Sequence, residues 1–234
     1  MNNKTFVISS LVLNFLLACM LGLLVFRLGG VEYMLFKVFI GDDATGVSQG
    51  RKEHLQILDA HTGGVVMLGN SITQQTEWSE LLEDKRVKNR GIGGDTVDRM
   101  TDRLGSIIAS DPEKLFFMGG INDLVNNSPD LVLAKLIKII TMIHEQSPNT
   151  QLYVQSILPV NNSVRETGRS NDDIRAVNRK LKIYSEGLPG VQWVDLYPHY
   201  VTAEGNLNPR FTHDGLHLGG DAYLVWRNLI AKYM

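Results

Sequence analysis

The sequence predicts a three-layer α/β domain built on a mainly parallel sheet of five strands, preceded by an apolar N-terminal helix. Three observations carry this. Short runs of 4–8 apolar-rich residues recur after residue 64, and several are apolar throughout rather than alternating, the pattern of strands covered on both faces. Segments of helical period separate them, and strand–helix repetition argues for a parallel sheet with right-handed crossovers. The chain also opens with 21 residues, Phe6 to Phe26, that carry no charge.

That opening segment is long enough to cross a membrane, since a helix needs about 20 residues to span the hydrocarbon core. Lys4 precedes it and Arg27 follows it, so the flanking charges specify orientation only weakly. An uncleaved anchor is the first expectation. A cleaved signal peptide is the second, although no A-x-A site follows. "LLAC", ending at Cys19, has the look of a lipoprotein signal, yet the apolar run continues for seven more residues. Leu28 to Ile40 is still apolar but holds Glu32 and Lys37, and suits an interfacial helix or an extension of the anchor. The expected organisation is therefore a membrane anchor or signal segment over 1–40, a Gly/Asp/Ser/Thr linker over 41–50 and a catalytic-size domain over 51–234.

Within that domain the expected strands are "VVMLG" (65–69), "VKNRG" (87–91), "KLFFMGG" (114–120), "QLYVQSIL" (151–158) and "VQWVDLY" (191–197). Between the second and third, "TVDRMTDRLGSIIAS" places Val97, Met100, Leu104, Ile107 and Ile108 on one helical face. The next helix opens at Ser128-Pro129-Asp130 and stops before Pro148. "NDDIRAVNRKLKIYSEG" takes Asn171 or Asp172 as its cap and buries Ile174, Val177, Leu181 and Tyr184. "DAYLVWRNLIAKYM" closes the chain as an amphipathic helix. Trp78 is expected to pack under the first short helix, and Trp193 and Trp226 in the core.

Composition removes several function classes. The net charge is −2 with both signs interspersed and no basic run, which speaks against a nucleic-acid partner. Cys19 is the single cysteine, so neither an intrachain disulfide nor a cysteine-based zinc site is available. His54, His61, His144 and His199 show no metal-ligand spacing, and no metal or organic cofactor is expected. "GIGGDT" has no lysine after its glycines and lacks the third glycine of a dinucleotide fingerprint.

Four islands stand at strand ends or in neighbouring loops: "GNSIT" (69–73), "NRGIGGDT" (89–96), "GGIND" (119–123) and "HDGLH" (213–217). In open α/β sheets, sites form at the carboxyl ends of the strands. Each island alone is ordinary turn chemistry. Together they hold every part of an acyl-transfer site. Ser71 is a hydroxyl that becomes a nucleophile only when a base takes its proton. His217 can be that base, and Asp214, three residues before it, can fix the ring's tautomer. His213 is a rival base without an aspartate three residues before it. The backbone N–H groups of Ser71 and Gly94 and the side-chain amide of Asn122 are candidate oxyanion donors. Such a donor contributes about 2.7–4 kcal/mol to an acyl-transfer transition state. Gly93 competes with Gly94, which is preferred because it directly precedes Asp95.

The four islands resemble the blocks of the SGNH hydrolases, also known as GDSL esterases and lipases, in the order Ser71, Gly94, Asn122, His217. The resemblance runs from about Gly64 to Lys232 in element order. It implies a flavodoxin-like α/β/α sandwich, a Ser71–Asp214–His217 triad and an oxyanion hole of Ser71, Gly94 and Asn122. The family usually has Asp before the serine; here Asn70 stands there, which bears on how the turn is held rather than on the nucleophile. The blocks look most like the acetylhydrolase branch. Removal of a small acyl group, acetyl, from a glycan or sialic acid is the first expectation, since the long loop Pro159 to Asn171 is polar and contains arginines. A lysophospholipase or thioesterase acting on lipid-like substrates is the alternative, and a non-catalytic membrane-tethered binding domain is the reading from a different class. The catalytic domain is expected outside the cytoplasm, tethered if the N-terminal segment is kept and secreted if it is cleaved. The sequence leaves the oligomeric state open.

Overall fold

In a computed structural model of the chain, the described residues are 3–27, 30, 47–58 and 63–234. They fall in two compact units, Met1–Gln49 and Gly50–Met234. In the first, helix α1 (Asn3–Arg27) is one continuous helix. Its stretch Val7–Arg27 is long and apolar enough to cross a membrane, and none of it is buried. The expectation for Leu28 to Ile40 falls outside the described residues, Gly30 excepted.

Helix α2 (Val47–Leu58) takes in the last four residues of the expected linker, 47–50; residues 41–46 lie outside the described ones. No helix is expected there from the sequence. Within the second unit it covers a sheet edge. Leu55 is buried, and Arg51 donates from Nε to Gly91 O (3.4 Å) and from Nη2 to Asn89 O (3.2 Å). Capping an open strand edge in this way blocks pairing with other chains.

All five strands form: β1 (Val65–Gly69), β2 (Val87–Gly91), β3 (Lys114–Met118), β4 (Gln151–Gln155) and β5 (Val191–Val194). They make one sheet in the order β2-β1-β3-β4-β5, every pair parallel. The last three strands end earlier than their apolar runs; the residues beyond them, such as Ile157 and Leu158, are buried as extended chain without a strand partner. β1 is buried at all five positions, as a central strand covered on both faces must be.

The short helices α3 (Ser71–Gln74) and α4 (Trp78–Leu81) connect β1 to β2. The helix expected over 96–110 is two, α5 (Val97–Asp102) and α6 (Leu104–Ala109), broken at Arg103, whose side chain is drawn inward to an ion pair. Helix α7 (Pro129–Gln146) has Ser128 as cap and Pro129 in its first turn, as its start signal predicts. Helix α8 (Asn171–Glu186) is capped by Ser170, one residue before the expected Asn171. Asn171 is otherwise engaged: its amide accepts from Val160 N and donates to Val160 O, both at 2.9 Å. Two turns along, Asn178 does the same with Ile157 N (2.9 Å) and Ile157 O (2.8 Å). This ladder of side chains replaces the sheet partner that the chain after β4 lacks. Helix α9 (Gly220–Ile230) ends the fold.

Right-handed crossovers assign the faces. Moving from β1 outward to β2 puts α3 and α4 on one face; moving back across the sheet to β3, β4 and β5 puts α5 to α8 on the other. The contacts agree: α7 packs on α5, α6 and α8. On the first face the ring of Trp226 in α9 meets that of Trp78 in α4 edge-on, centroids 5.0 Å apart. Trp78, Trp193 and Trp226 are all buried, as expected. The strand order reverses at β1, which has β2 on one side and β3 on the other. The crevice beyond the carboxyl ends of β1 and β3 is where such sheets bind ligands.

Candidate active site

The turn after β1 delivers Ser71 into that crevice. Asn70 caps α3 by accepting from Ile72 N at 3.0 Å, a role that Asp fills equally well. The amide nitrogen of Asn70 is buried and has no partner among the described residues. A helix of four residues leaves its carbonyls without intrahelical partners. Three side chains supply them: Tyr223 Oη donates to Ile72 O (2.7 Å), Trp78 Nε1 to Thr73 O (2.7 Å) and Asn89 Nδ2 to Gln74 O (3.1 Å). The helix also lies almost on the sheet. A Cβ at Gly91 would come within 2.3 Å of Gln74 N, so only glycine permits this approach. The serine is thus mounted on a short rigid helix pinned from three sides.

His217 meets it from the segment before α9. Its Nε2 lies 3.0 Å from Ser71 Oγ, and its Nδ1 lies 2.7 Å from Asp214 Oδ2. The other carboxylate oxygen of Asp214 accepts from the backbone N–H of Leu216 (3.0 Å) and of His217 (2.8 Å). Burial pushes the Asp214 carboxyl up, but the bond from the His217 ring and the two backbone N–H groups outweigh it and hold the carboxyl below the usual carboxylate range. Both side chains keep about 30% of their surface exposed, which leaves the ring reachable from solvent. His213 is exposed and does not pair with Ser71.

The remaining two islands come together beside it. Gly94 has φ +76°, a conformation that favours glycine, and Gly93 uses its own N–H to bind Gln74 Oε1. Asn122 Nδ2 donates to Asp95 O at 3.0 Å, which ties the amide to the peptide next to Gly94. Asp95 itself is buried against Arg103 (2.8 Å), and Arg103 also donates to Gly69 O at 3.1 Å, joining this loop to the end of β1. Every residue expected from the sequence, Ser71, Gly94, Asn122, Asp214 and His217, therefore lies in one linked array. Among the described residues no group of three or more His, Cys, Asp or Glu side chains is arranged to hold a metal ion.

Four residues of the array carry no sequence signal of their own. Arg165 Nη2 lies 3.3 Å from Asp214 Oδ2. Arg169 Nη2 donates to Asn122 Oδ1 at 3.0 Å. Thr212 Oγ1 accepts from Gly215 N at 2.9 Å, and Asn161 N donates to Gly215 O at 2.8 Å, which fix the turn between Asp214 and His217. The two arginines lie in the loop already singled out as polar and arginine-containing.

Comparison with known proteins identifies the family and the fold. Residues 67–225 match the model of the GDSL-like Lipase/Acylhydrolase family. The chain is 28% identical over 165 residues to platelet-activating factor acetylhydrolase IB subunit alpha2 of Gallus gallus, covering 68% of this chain and 70% of that one. Among solved structures, a GDSL-like lipase from Bacteroides thetaiotaomicron superposes with a TM-score of 0.68 at 21% identity, covering 80% of this chain and 97% of that one. An acetyl xylan esterase, AlAXEase, superposes with a TM-score of 0.61 at 16% identity, covering 73% of this chain and 99% of that one. At such identities the structures establish the fold, and the family model establishes the family. The chain belongs to the GDSL-like lipase/acylhydrolase family and is a hydrolase of carboxylic esters.

Proposed function

We propose that this hydrolase removes a small acyl group, acetyl, from a carbohydrate ester such as an acetylated glycan or sialic acid, through an acyl-enzyme on Ser71. The observation that carries the mechanism is the continuous line Ser71 Oγ, His217 Nε2, His217 Nδ1, Asp214 Oδ2, with gaps of 3.0 Å and 2.7 Å. Ser71 Oγ attacks the ester carbonyl while its proton passes to His217 Nε2. The carbonyl π electrons move onto oxygen, where the N–H groups of Ser71 and Gly94 and the Asn122 amide hold the charge. Asp214, kept ionised by its hydrogen bonds, stabilises the imidazolium. The intermediate collapses, the alcohol leaves with the proton from Nε2, and Ser71 is acylated. Water then repeats the sequence, with His217 again taking and returning one proton, and releases the acid.

The small acyl group is supported by the rim of the site. The loop over 159–171 brings Arg165 beside Asp214 and Arg169 beside Asn122, a polar wall suited to a sugar and not to a long alkyl chain. The relatives named for acetyl substrates, an acetylhydrolase subunit and an acetyl xylan esterase, point the same way. The catalytic unit is proposed to work outside the cytoplasm, with α1 as its anchor. That same helix favours a second reading, a lysophospholipase or thioesterase drawing lipid-like substrates from the bilayer. A series of p-nitrophenyl esters separates the two. With the full chain in detergent, kcat/KM is expected to be highest for acetyl and to fall through butyryl to octanoyl. A rise with chain length favours the lipid reading, and no turnover of any ester by folded protein favours a tethered binding domain.

A further inference from the structure

The amide of Asn122 has two ends of opposite character, and only one can serve an oxyanion. Nδ2 donates two hydrogens, whereas Oδ1 can only accept. Its surroundings decide which end points where. Arg169 Nη2 donates to Oδ1 at 3.0 Å. The same guanidinium donates from Nε to Ile121 O at 2.8 Å and from Nη1 to Thr167 O at 2.6 Å. It is therefore a fork fixed by backbone on both sides and is not free to swing away. Arginine has five N–H donors and no acceptor. A flipped amide would set its NH2 against that fork and its carbonyl oxygen against Asp95 O. Two hydrogen bonds would become two repulsive contacts, with the half-buried donor of Arg169 left unpaired. In the observed orientation one Nδ2 hydrogen goes to Asp95 O at 3.0 Å, and the second remains for the substrate.

The guanidinium charge beside Oδ1 has a further effect. Hydrogen bonds in series polarise one another, and a cation at the acceptor end of an amide draws density from its N–H end. The donor offered to a developing oxyanion becomes stronger without any group moving.

We propose that Arg169 is a positioning residue for ester hydrolysis: it holds the Asn122 amide with its N–H toward the oxyanion site and strengthens that N–H as a donor. This rests on the oxyanion role given to Asn122 above. Arg169 touches no reacting atom, so its effect must pass through Asn122, and that is what a test can isolate.

Steady-state hydrolysis of p-nitrophenyl acetate by the full chain in detergent is compared across the parent, Ser71→Ala, Asn122→Ala, Arg169→Met, Arg169→Gln and the double variant Arg169→Met/Asn122→Ala. Arg169→Met is expected to lower kcat about 10- to 100-fold with KM changed less than about threefold, no more than the roughly 10²–10³-fold cost of losing an oxyanion donor outright. The double variant is expected within about twofold of Asn122→Ala alone, because a residue acting through Asn122 has nothing left to act on. Arg169→Gln keeps a donor but can accept as well, so it loses the orientation rule while fitting the space. It is expected to show the same kcat loss and carries the test if the methionine variant loses its cooperative thermal transition. Parent-like kcat in the folded arginine variants overturns the proposal. So does a double variant slowed by the product of the single effects, or a change confined to KM. Those outcomes leave the Ser71 mechanism standing if Ser71→Ala is inactive. An Asn122→Ala variant with parent kcat removes the oxyanion role itself and the proposal with it.

Discussion

Asp214 shows at the scale of one residue how geometry sets chemistry. Its carboxylate accepts from a ring nitrogen and two backbone N–H groups, and these bonds exist only in the folded chain. They hold its pKa below the value it has when unfolded. The stability they supply is therefore full above the unfolded value of about 3.9 and is lost as pH falls toward the lower folded value. In urea titrations the gap between the parent and Asp214→Asn should be widest above about pH 5 and should narrow progressively below about pH 4, as pH falls toward the folded value. The same variant should lose roughly 10⁴-fold in kcat, because the wrong tautomer then faces Ser71. Single residues also mark the limit of what sequence reveals. Asp214 and His217 are three apart, and their pairing can be read from spacing. Arg169 reaches Asn122 across 47 residues and Arg165 reaches Asp214 across 49, distances at which only the fold decides who meets whom.

Among elements, α3 carries the most consequence for its size. Four residues cannot sustain a helix by their own hydrogen bonds. Tyr223, Trp78 and Asn89 close its carbonyls, and each comes from a different element. Tyr223→Phe should cost about 1 kcal/mol in chemical denaturation, the value of one buried hydrogen bond, and more if Ile72 O stays dry and unpaired. Gly91→Ala should cost more, about 1–3 kcal/mol, since its methyl group would strike the backbone of α3. It should lower kcat as well by displacing Ser71, which a melting curve and a rate measured on one sample will show together. Long amphipathic helices such as α7, with its Ser128 cap and Pro129, were legible from period and cap alone. The break at Arg103 was not, because the apolar period runs through it while the cause, the buried pair with Asp95, lies elsewhere. The cap of α8 fell on Ser170 for a similar reason: Asn171 was committed to Val160.

At the level of the whole chain, the order β2-β1-β3-β4-β5 explains why islands spread over 146 residues converge. The reversal at β1 opens the crevice, Ser71 follows β1, Asn122 follows β3, and the final segment returns with His217. Apolar runs and alternating elements were enough to predict this sheet, because parallel strands buried on both faces have few other solutions. The N-terminal helix is a separate matter. If α1 is an anchor, the mature protein should sediment with membranes after an alkaline wash, and its intact mass should include residues 1–27. A soluble form lacking them would make α1 an export signal. The central claim is that Ser71 is a nucleophile activated by His217, and active-site labelling tests it most directly. The full chain in detergent is treated with an alkyl fluorophosphonate, and the adduct is located by peptide mass spectrometry. The expected result is one adduct, on Ser71, formed far more slowly in His217→Ala. An enzyme that turns over p-nitrophenyl acetate with Ser71 unlabelled, or labels equally without His217, would contradict it.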